Sequence, residues 1–299
     1  MPTVAFATHQ QMPDITDDDH LVAGLLHGSG VEVRPVVWDA MHVDWSRFDC
    51  VVIRSTWDYH LKPERYADWL RAFISISGRL WNPPQAVLEN LDKRYLSTLA
   101  MQGIDVVPTI VQSAGHDAAL GEILERSQWD DVVIKPAVSA GGWGTWRASR
   151  ATANDDKGRF AEQVRRRDVL IQPYMPEIAD PGEWSLIFFA GRYSHAVLKK
   201  PANGDFRVQR HLGGTTSLAE PGPALIEQAE TVLATVEHPL LFARVDGIER
   251  QGRFILMELE INEPFLFLGY SDQAAGRFAD AILHRLRETG CFMAGDANA

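Results

Sequence analysis

Four oxygen-bearing side chains, Asp246, Glu258, Glu260 and Asn262, fall close together in the last third of the chain, in Ala-Arg-Val-Asp-Gly-Ile and Met-Glu-Leu-Glu-Ile-Asn-Glu-Pro. Side chains alternate along a strand and Cα atoms two apart lie roughly 6.6 Å from each other, so positions 258, 260 and 262 would share a face. A three-residue hairpin loop, Arg250-Gln251-Gly252 with Gly252 in the left-handed region, sets Arg244 opposite Glu258 and brings Asp246 to the same face. A two-residue loop would turn Asp246 away. Carboxylates crowded this closely repel one another, and a hard dication is the common remedy; an all-oxygen set suits Mg²⁺ or Mn²⁺ rather than zinc. The plainer reading is a polar sheet face open to water. The flanks Phe254-Ile255-Leu256-Met257 and Phe265-Leu266-Phe267-Leu268 are too apolar for that.

A second constellation is cationic. Lys135 ends an apolar strand, Asp131 to Pro136, just before Ser139-Ala140-Gly141-Gly142-Trp143-Gly144-Thr145. Three glycines in four positions let backbone N–H groups approach a phosphate while the ammonium neutralises it. The order differs from a P-loop, since the lysine precedes the glycines. Lys199-Lys200 and the run Arg207 to His211 beside Gly213-Gly214 could bind a transferred phosphate and a developing acyl phosphate. Arg207 and Arg210 cannot both face one site in a regular strand, so one of them is expected to be structural. Gln172-Pro173-Tyr174-Met175 offers backbone groups and an apolar wall to a flat base, and Glu183 offers a carboxylate to ribose hydroxyls.

Near the N-terminus, Arg54-Ser55-Thr56-Trp57-Asp58-Tyr59-His60 ends an apolar strand, where open α/β sheets place ligand-binding residues. Arg54 could hold a carboxylate and Asp58 an ammonium, with Thr56 and His60 beside them. An Arg-Asp pair capping the next helix would look the same in sequence. Either Asp58 or His60 could accept a proton. Gly28-Ser29-Gly30 lacks the third glycine of a dinucleotide fingerprint and reads as a helix end.

The elements that must position these residues suggest an α+β chain with an α/β N-terminal unit. Strands are expected at 3–8, 32–38, 49–54, 105–111, 131–136, 169–175, 183–190 and 193–200, and helices at 17–27, 63–76, 116–128, 156–167, 221–236 and 272–288. A further helix is expected to carry Asn90 to Leu96, including Lys93. Asn82-Pro83-Pro84 suggests a boundary, giving units 1–84, 85–175 and 176–299. With 299 residues the chain can bury a substantial core, while a formal charge of −11 argues against binding long nucleic acid. Cys50 and Cys291 are far apart and suggest no disulfide framework. The start reads as a first strand rather than a secretion signal, and no stretch is long and apolar enough for a membrane span, so a cytoplasmic enzyme is expected.

Taken in order, Lys93, Lys135, the glycine loop, residues 172–175, Glu183, Arg207, Asp246 and Glu260-x-Asn262 resemble the ATP-grasp superfamily over about residues 85–288. The resemblance implies two α+β subdomains clamping ATP behind an N-terminal substrate domain. It implies that Lys93 and Lys135 contact phosphates, that Ser139, Gly141, Gly142 and Gly144 belong to a loop closing over them, and that Gln172, Tyr174 and Met175 frame adenine. Glu183 would take the ribose. Asp246, Glu260 and Asn262 would hold two Mg²⁺, with Glu258 as an extra carboxylate that leaves the bridging ligand open, while Arg244 and Arg207, aided by Lys199, face the transferred phosphate. The Arg54–His60 stretch and Met257 to Leu268 are similar to the cyclo-ligases that close O-ureido-D-serine to D-cycloserine. That likeness implies a small amino-acid substrate and, if the chain self-associates, a homodimer. An intermolecular carboxylate-amine ligase and a nucleotide-binding module without turnover are the alternatives.

Overall fold

A computed structural model describes residues 1–76, 78–116 and 119–290. The first unit alternates strand and helix: β1 (Thr3–Thr8), α1 (Asp17–Gly28), β2 (Glu32–Val37), β3 (Cys50–Ile53), α2 (Pro63–Ser75) and the short β4 (Leu80–Trp81). Its four strands are all parallel, in the order β2-β1-β3-β4. The near-continuous apolar runs of β1 and β3 fit a parallel sheet buried on both faces. One face packs on α2 through Tyr66, Leu70 and Phe73. The other packs on α1 and on the last helix of the chain, α8 below, whose Phe278, Ile282 and Leu286 join Val4, Phe6 and Val22 in one core.

The middle of the chain forms α3 (Pro84–Asn90), α4 (Tyr95–Met101), β5 (Ile110–Gln112), α5 (Leu120–Ser127), β6 (Asp131–Pro136), β7 (Trp146–Ser149), α6 (Lys157–Arg166) and β8 (Val169–Pro173). The antiparallel sheet runs β5-β8-β6-β7. Lys93 sits in a turn rather than on the helix expected there. The Asp92 carboxylate accepts the Arg94 N–H at 2.9 Å, a local bond that competes with helix continuation. The strand expected at 105–111 is split by Pro108, which has no N–H to give a ladder. Asp105 to Val107 bond instead to Leu256, across to the third unit.

The third unit contains β9 (Glu183–Phe189), β10 (Arg192–Lys200), β11 (Thr215–Ala219), α7 (Pro223–Leu233), β12 (Phe242–Arg250), β13 (Arg253–Glu260) and α8 (Ala274–Glu288). Its antiparallel sheet runs β11-β10-β9-β12-β13. The β12–β13 hairpin differs from expectation in an instructive way. Arg250 pairs with Arg253, so the loop is the two residues Gln251-Gly252, both with positive φ, as a type I′ turn requires. Such a register alone would put Met257 opposite Asp246. A bulge intervenes: Gly247 pairs with Leu256 and Asp246 with Glu258, leaving Met257 as the extra residue. Arg244 consequently faces Glu260, not Glu258. The bulge also moves the buried apolar positions of β13 from Phe254 and Leu256 to Leu259, freeing Glu258 and Glu260 for the opposite face.

Gly247 makes the bulge possible. A Cβ there would lie 2.5 Å from Phe254 Cζ and 2.6 Å from the Ile255 carbonyl oxygen. Gly247→Ala is expected to destabilise the protein by about 1–3 kcal/mol, the usual cost of overpacking. Urea unfolding measures this, and unchanged stability would show that the bulge relaxes freely.

Candidate functional site

A cavity of about 1120 Å³ opens where the three units meet, large enough for a nucleotide and a small second molecule. The glycine loop forms one wall. Gly141, Gly142 and Gly144 all have positive φ, and the loop passes so near Pro136 that a Cβ on Gly144 would sit 2.8 Å from Pro136 Cγ. Lys135, partly buried at the end of β6, points in from the same sheet. Burial lowers its pKa, with Lys93 adding to that direction against the pull of Glu258. Lys93 donates to the Ser139 carbonyl at 2.6 Å and meets Glu258 at 3.2 Å, tying the α3–α4 turn to the loop and to β13. Tyr59 from the first unit also donates to the Ser139 carbonyl, at 3.3 Å.

The acidic residues come together around cations of the chain itself. The guanidinium of Arg244 donates to Asp246 at 2.8 Å and also bonds Glu260. Lys199 Nζ lies 2.6 Å from Glu183 and 3.4 Å from Asp246, and Ser185 donates to Asp246 at 2.6 Å. Among the described residues no group of three or more His, Cys, Asp or Glu side chains converges as a metal nest. Burial pushes the Asp246 carboxyl up, but Arg244 and Lys199 outweigh it and hold it down at about 2. For Glu260 burial prevails: Arg244 pulls down, Glu258, Asp246 and Glu263 push up, and the carboxyl sits at about 8. Burial also raises Glu183 in spite of Lys199. Glu258 is lowered, because Lys93 and Lys135 overcome its burial.

Other expected residues divide by location. Gln172 and Met175 line the cavity, and Gln172 donates to Thr109 at 2.8 Å. Tyr174 does not; its ring lies under Arg147, 4.0 Å from the guanidinium carbon. Arg207 and Arg210 both reach the cavity. They can because their segment is loop and a single 3₁₀ turn rather than a strand, so alternation does not apply. Arg207 is paired with Asp205 at 2.9 Å. Asn262 lines the cavity, its Oδ1 accepting from Tyr66 at 2.6 Å and its Nδ2 buried without a partner.

The N-terminal expectations change most. Arg54 is turned away from the cavity: it is 3 % exposed, pairs with Asp19 at 2.7 Å and lies over the rings of Phe242 and Phe278. Asp58 is held by Trp38 Nε1 at 2.7 Å and Lys62 Nζ at 2.9 Å, and Thr56 bonds the Tyr66 hydroxyl at 3.0 Å. Only His60 of the four lines the cavity, where its ring centroid lies 5.1 Å from that of Trp143. Burial lowers the His60 pKa, and its Nδ1 has no partner. The strand ends at Ile53, so the following residues leave in a turn and only some of them face inward. Trp57, Tyr59 and Glu263 line the cavity unforeseen. Glu263 belongs to the acidic stretch already noted, but strand alternation sets it on the far face; β13 stops at Glu260, and the rule stops with it.

Residues 4–82 match the model of the D-cycloserine synthetase DcsG N-terminal domain, and residues 96–265 that of the prokaryotic glutathione synthetase ATP-grasp domain. Fold and site together define an α+β ATP-grasp enzyme, an ATP-dependent ligase. The chain is 34 % identical over 278 residues to the cycloserine biosynthesis protein DcsG of Streptomyces lavendulae, spanning 86 % of this chain and 90 % of that protein, and it belongs to the same family. The crystal structure of D-cycloserine synthetase DcsG aligns with a TM-score of 0.85 at 29 % identity, over 95 % of this chain and 99 % of that one. A D-alanine-D-alanine ligase from Bacillus anthracis complexed with ATP shares the fold, with a TM-score of 0.69 at 15 % identity over 97 % and 99 % of the two chains. Among the described residues no helix is long and apolar enough to cross a membrane.

Asp58→Ala would leave the Trp38 indole N–H buried without its acceptor. It is expected to cost about 1–3 kcal/mol in stability while leaving the KM values for ATP and amino acid nearly unchanged. A selective rise in amino-acid KM at unchanged melting temperature would return Asp58 to the substrate site.

Proposed function

We propose that this ligase activates the carboxylate of O-ureido-D-serine and closes the molecule to D-cycloserine. The likeness to DcsG carries the reading, because it runs through the N-terminal unit as well as the nucleotide-binding units, and the N-terminal unit supplies Trp57, Tyr59 and His60 to the cavity wall. ATP supplies the phosphoryl group that turns the carboxylate into an acyl phosphate. The amino-oxy nitrogen then attacks the carbonyl carbon, a C–N bond forms and phosphate leaves with the former carboxylate oxygen. Water removes the carbamoyl group as carbon dioxide and ammonia. Ring closure is intramolecular, so the protein needs chiefly to hold one conformer, which is worth several kcal/mol.

The residues fit this work. Lys135 and the backbone of residues 139–145 suit the phosphates, and Gln172 and Met175 the base. Arg207, Arg210 and Arg244 supply fixed positive charge where negative charge develops. Glu258, Glu260 and Asn262 present only oxygen and amide donors to the cavity, a set that fits Mg²⁺, with Mn²⁺ as a substitute; two ions, with Asp246 as a further ligand, would require Arg244 or Lys199 to release it. A dication there would offset phosphate charge during transfer.

In the ligand-free protein the Glu260 carboxyl titrates above its unfolded value of 4.5, so this group's stabilising contribution is complete below that pH and is lost as pH rises through about 8. A dication bound to the ionised carboxylate reverses that loss. The rise in melting temperature produced by Mg²⁺ with ADP should therefore grow from about pH 6 to about pH 9, and Glu260→Gln should flatten the growth. A rise equal at all pH values would remove Glu260 from cation binding.

The match of residues 96–265 to the glutathione synthetase domain favours one other reading, an intermolecular carboxylate-amine ligase. An ADP-release assay separates the two. O-ureido-D-serine alone should support turnover, whereas ADP release only after a separate amine is added would select the intermolecular ligase.

A further inference from the structure

Nearly every carboxylate on the cavity wall meets a cation of this chain: Asp246 and Glu260 share Arg244, Glu183 has Lys199, and Glu258 has Lys93. Glu263 is the exception. It lines the cavity at 9 % exposure and forms no ion pair among the described residues, its carboxylate meeting only its own backbone N–H. Lys93, the cation with the strongest pull on it, is committed to Glu258 and to the Ser139 carbonyl. A buried carboxylate without a counter-charge is costly, and the bond to its own backbone N–H and the pull of the committed Lys93 repay only part of its lost solvation.

The position of Glu263 is nevertheless fixed. Trp57 Nε1 donates to its carbonyl at 3.0 Å, Tyr66 holds the preceding Asn262, and the Arg54 guanidinium approaches the carbonyl of the following Pro264 at 3.5 Å. The carboxylate lines the cavity wall with Trp57 and Tyr59, near enough for its charge to raise the Tyr59 phenol further. Lys135 is its counterpart, a cation lining the cavity that also forms no ion pair among the described residues. Lys135, Arg159 and Arg210, cavity-lining cations in no ion pair among the described residues, suit an anionic phosphate, and the carboxylate of Glu263 suits a cation that arrives with the other ligand. Trp57 and Tyr59 on the same wall suit a monovalent ammonium, whereas a dication takes several oxygen ligands and is better served by the neighbouring Glu258 and Glu260.

We propose that Glu263 binds the α-ammonium group of the amino-acid substrate, the role that sequence spacing suggests for Asp58. The ligand class rests on the amino-acid ligase reading above. The test is a binding cycle by calorimetry at saturating Mg²⁺ and ADP, using O-ureido-D-serine and its analogue lacking the amino group, against the wild-type protein and Glu263→Gln. Removing the ammonium should weaken wild-type binding roughly 10- to 100-fold, as for a buried charge-assisted contact. Glu263→Gln should weaken the parent compound by a similar factor and leave the analogue unaffected, with Glu263→Asp in between. Additive losses, or equal wild-type affinity for the two compounds, would overturn the assignment, as would a Glu263→Gln effect confined to the Mg²⁺ dependence of ADP binding. Coupled losses without ADP release would refute the ligase reading alone, and ADP release without coupling would refute the Glu263 role alone.

Discussion

The guanidinium of Arg244 between Asp246 and Glu260 is the contact on which the cavity's electrostatics depend. Without it, Asp246 would lose the charge that does most to hold it low, and Glu260, already raised to about 8 by burial, Glu258 and Asp246, would rise further. Lys199 does the same for Asp246 and Glu183. Because these cations are built into β10 and β12, the acidic hairpin can exist before any ligand binds. The same pairing sets how far a ligand must intrude: a metal that takes Asp246, Glu260 or Glu258 has to displace an ion pair with Arg244, Lys199 or Lys93, although Glu258 and Glu260 keep part of their surface open to the cavity.

That arrangement depends on a backbone detail. The two-residue turn at Gln251-Gly252 alone would rotate Asp246 to the far face, and the bulge at Gly247 rotates it back. Turn and bulge therefore act as a matched pair. Either one changed singly would separate the acidic residues across the sheet, even though every side chain needed for the chemistry remained in the sequence.

How much of this the sequence discloses follows from which rule governs each segment. Periodicity and breaker residues locate the strands and helices that carry apolar stripes, so β1, β6, β9, β10, α1, α2 and α8 stand within a few residues of expectation. The four-residue β7 alternates too briefly to register, and the largely exposed edge strand β11 carries no buried stripe, so both go unseen. Lys135, the glycine loop and the acidic hairpin are legible because their chemistry is concentrated in short runs. Arg54 and Asp58 mislead, because a charged residue after a strand looks the same whether it faces a ligand or neutralises a neighbour; only the partners Asp19, Trp38 and Lys62, distant in sequence, decide. Glu263 is missed for the converse reason, since its orientation is set after the strand has ended.

The packing of α8 against β1 and α1 means that the first unit, contiguous as it is from residue 3 to residue 81, is completed by the other end of the chain. Asn82 adds a second fastening, its amide bonding the backbone of Leu241, Phe242 and Ile261. The N-terminal unit is therefore not an exchangeable cassette. A chimera that grafts another N-terminal unit onto this body must bring a matching C-terminal helix, and recombination among such ligases would be constrained to replace both chain ends together.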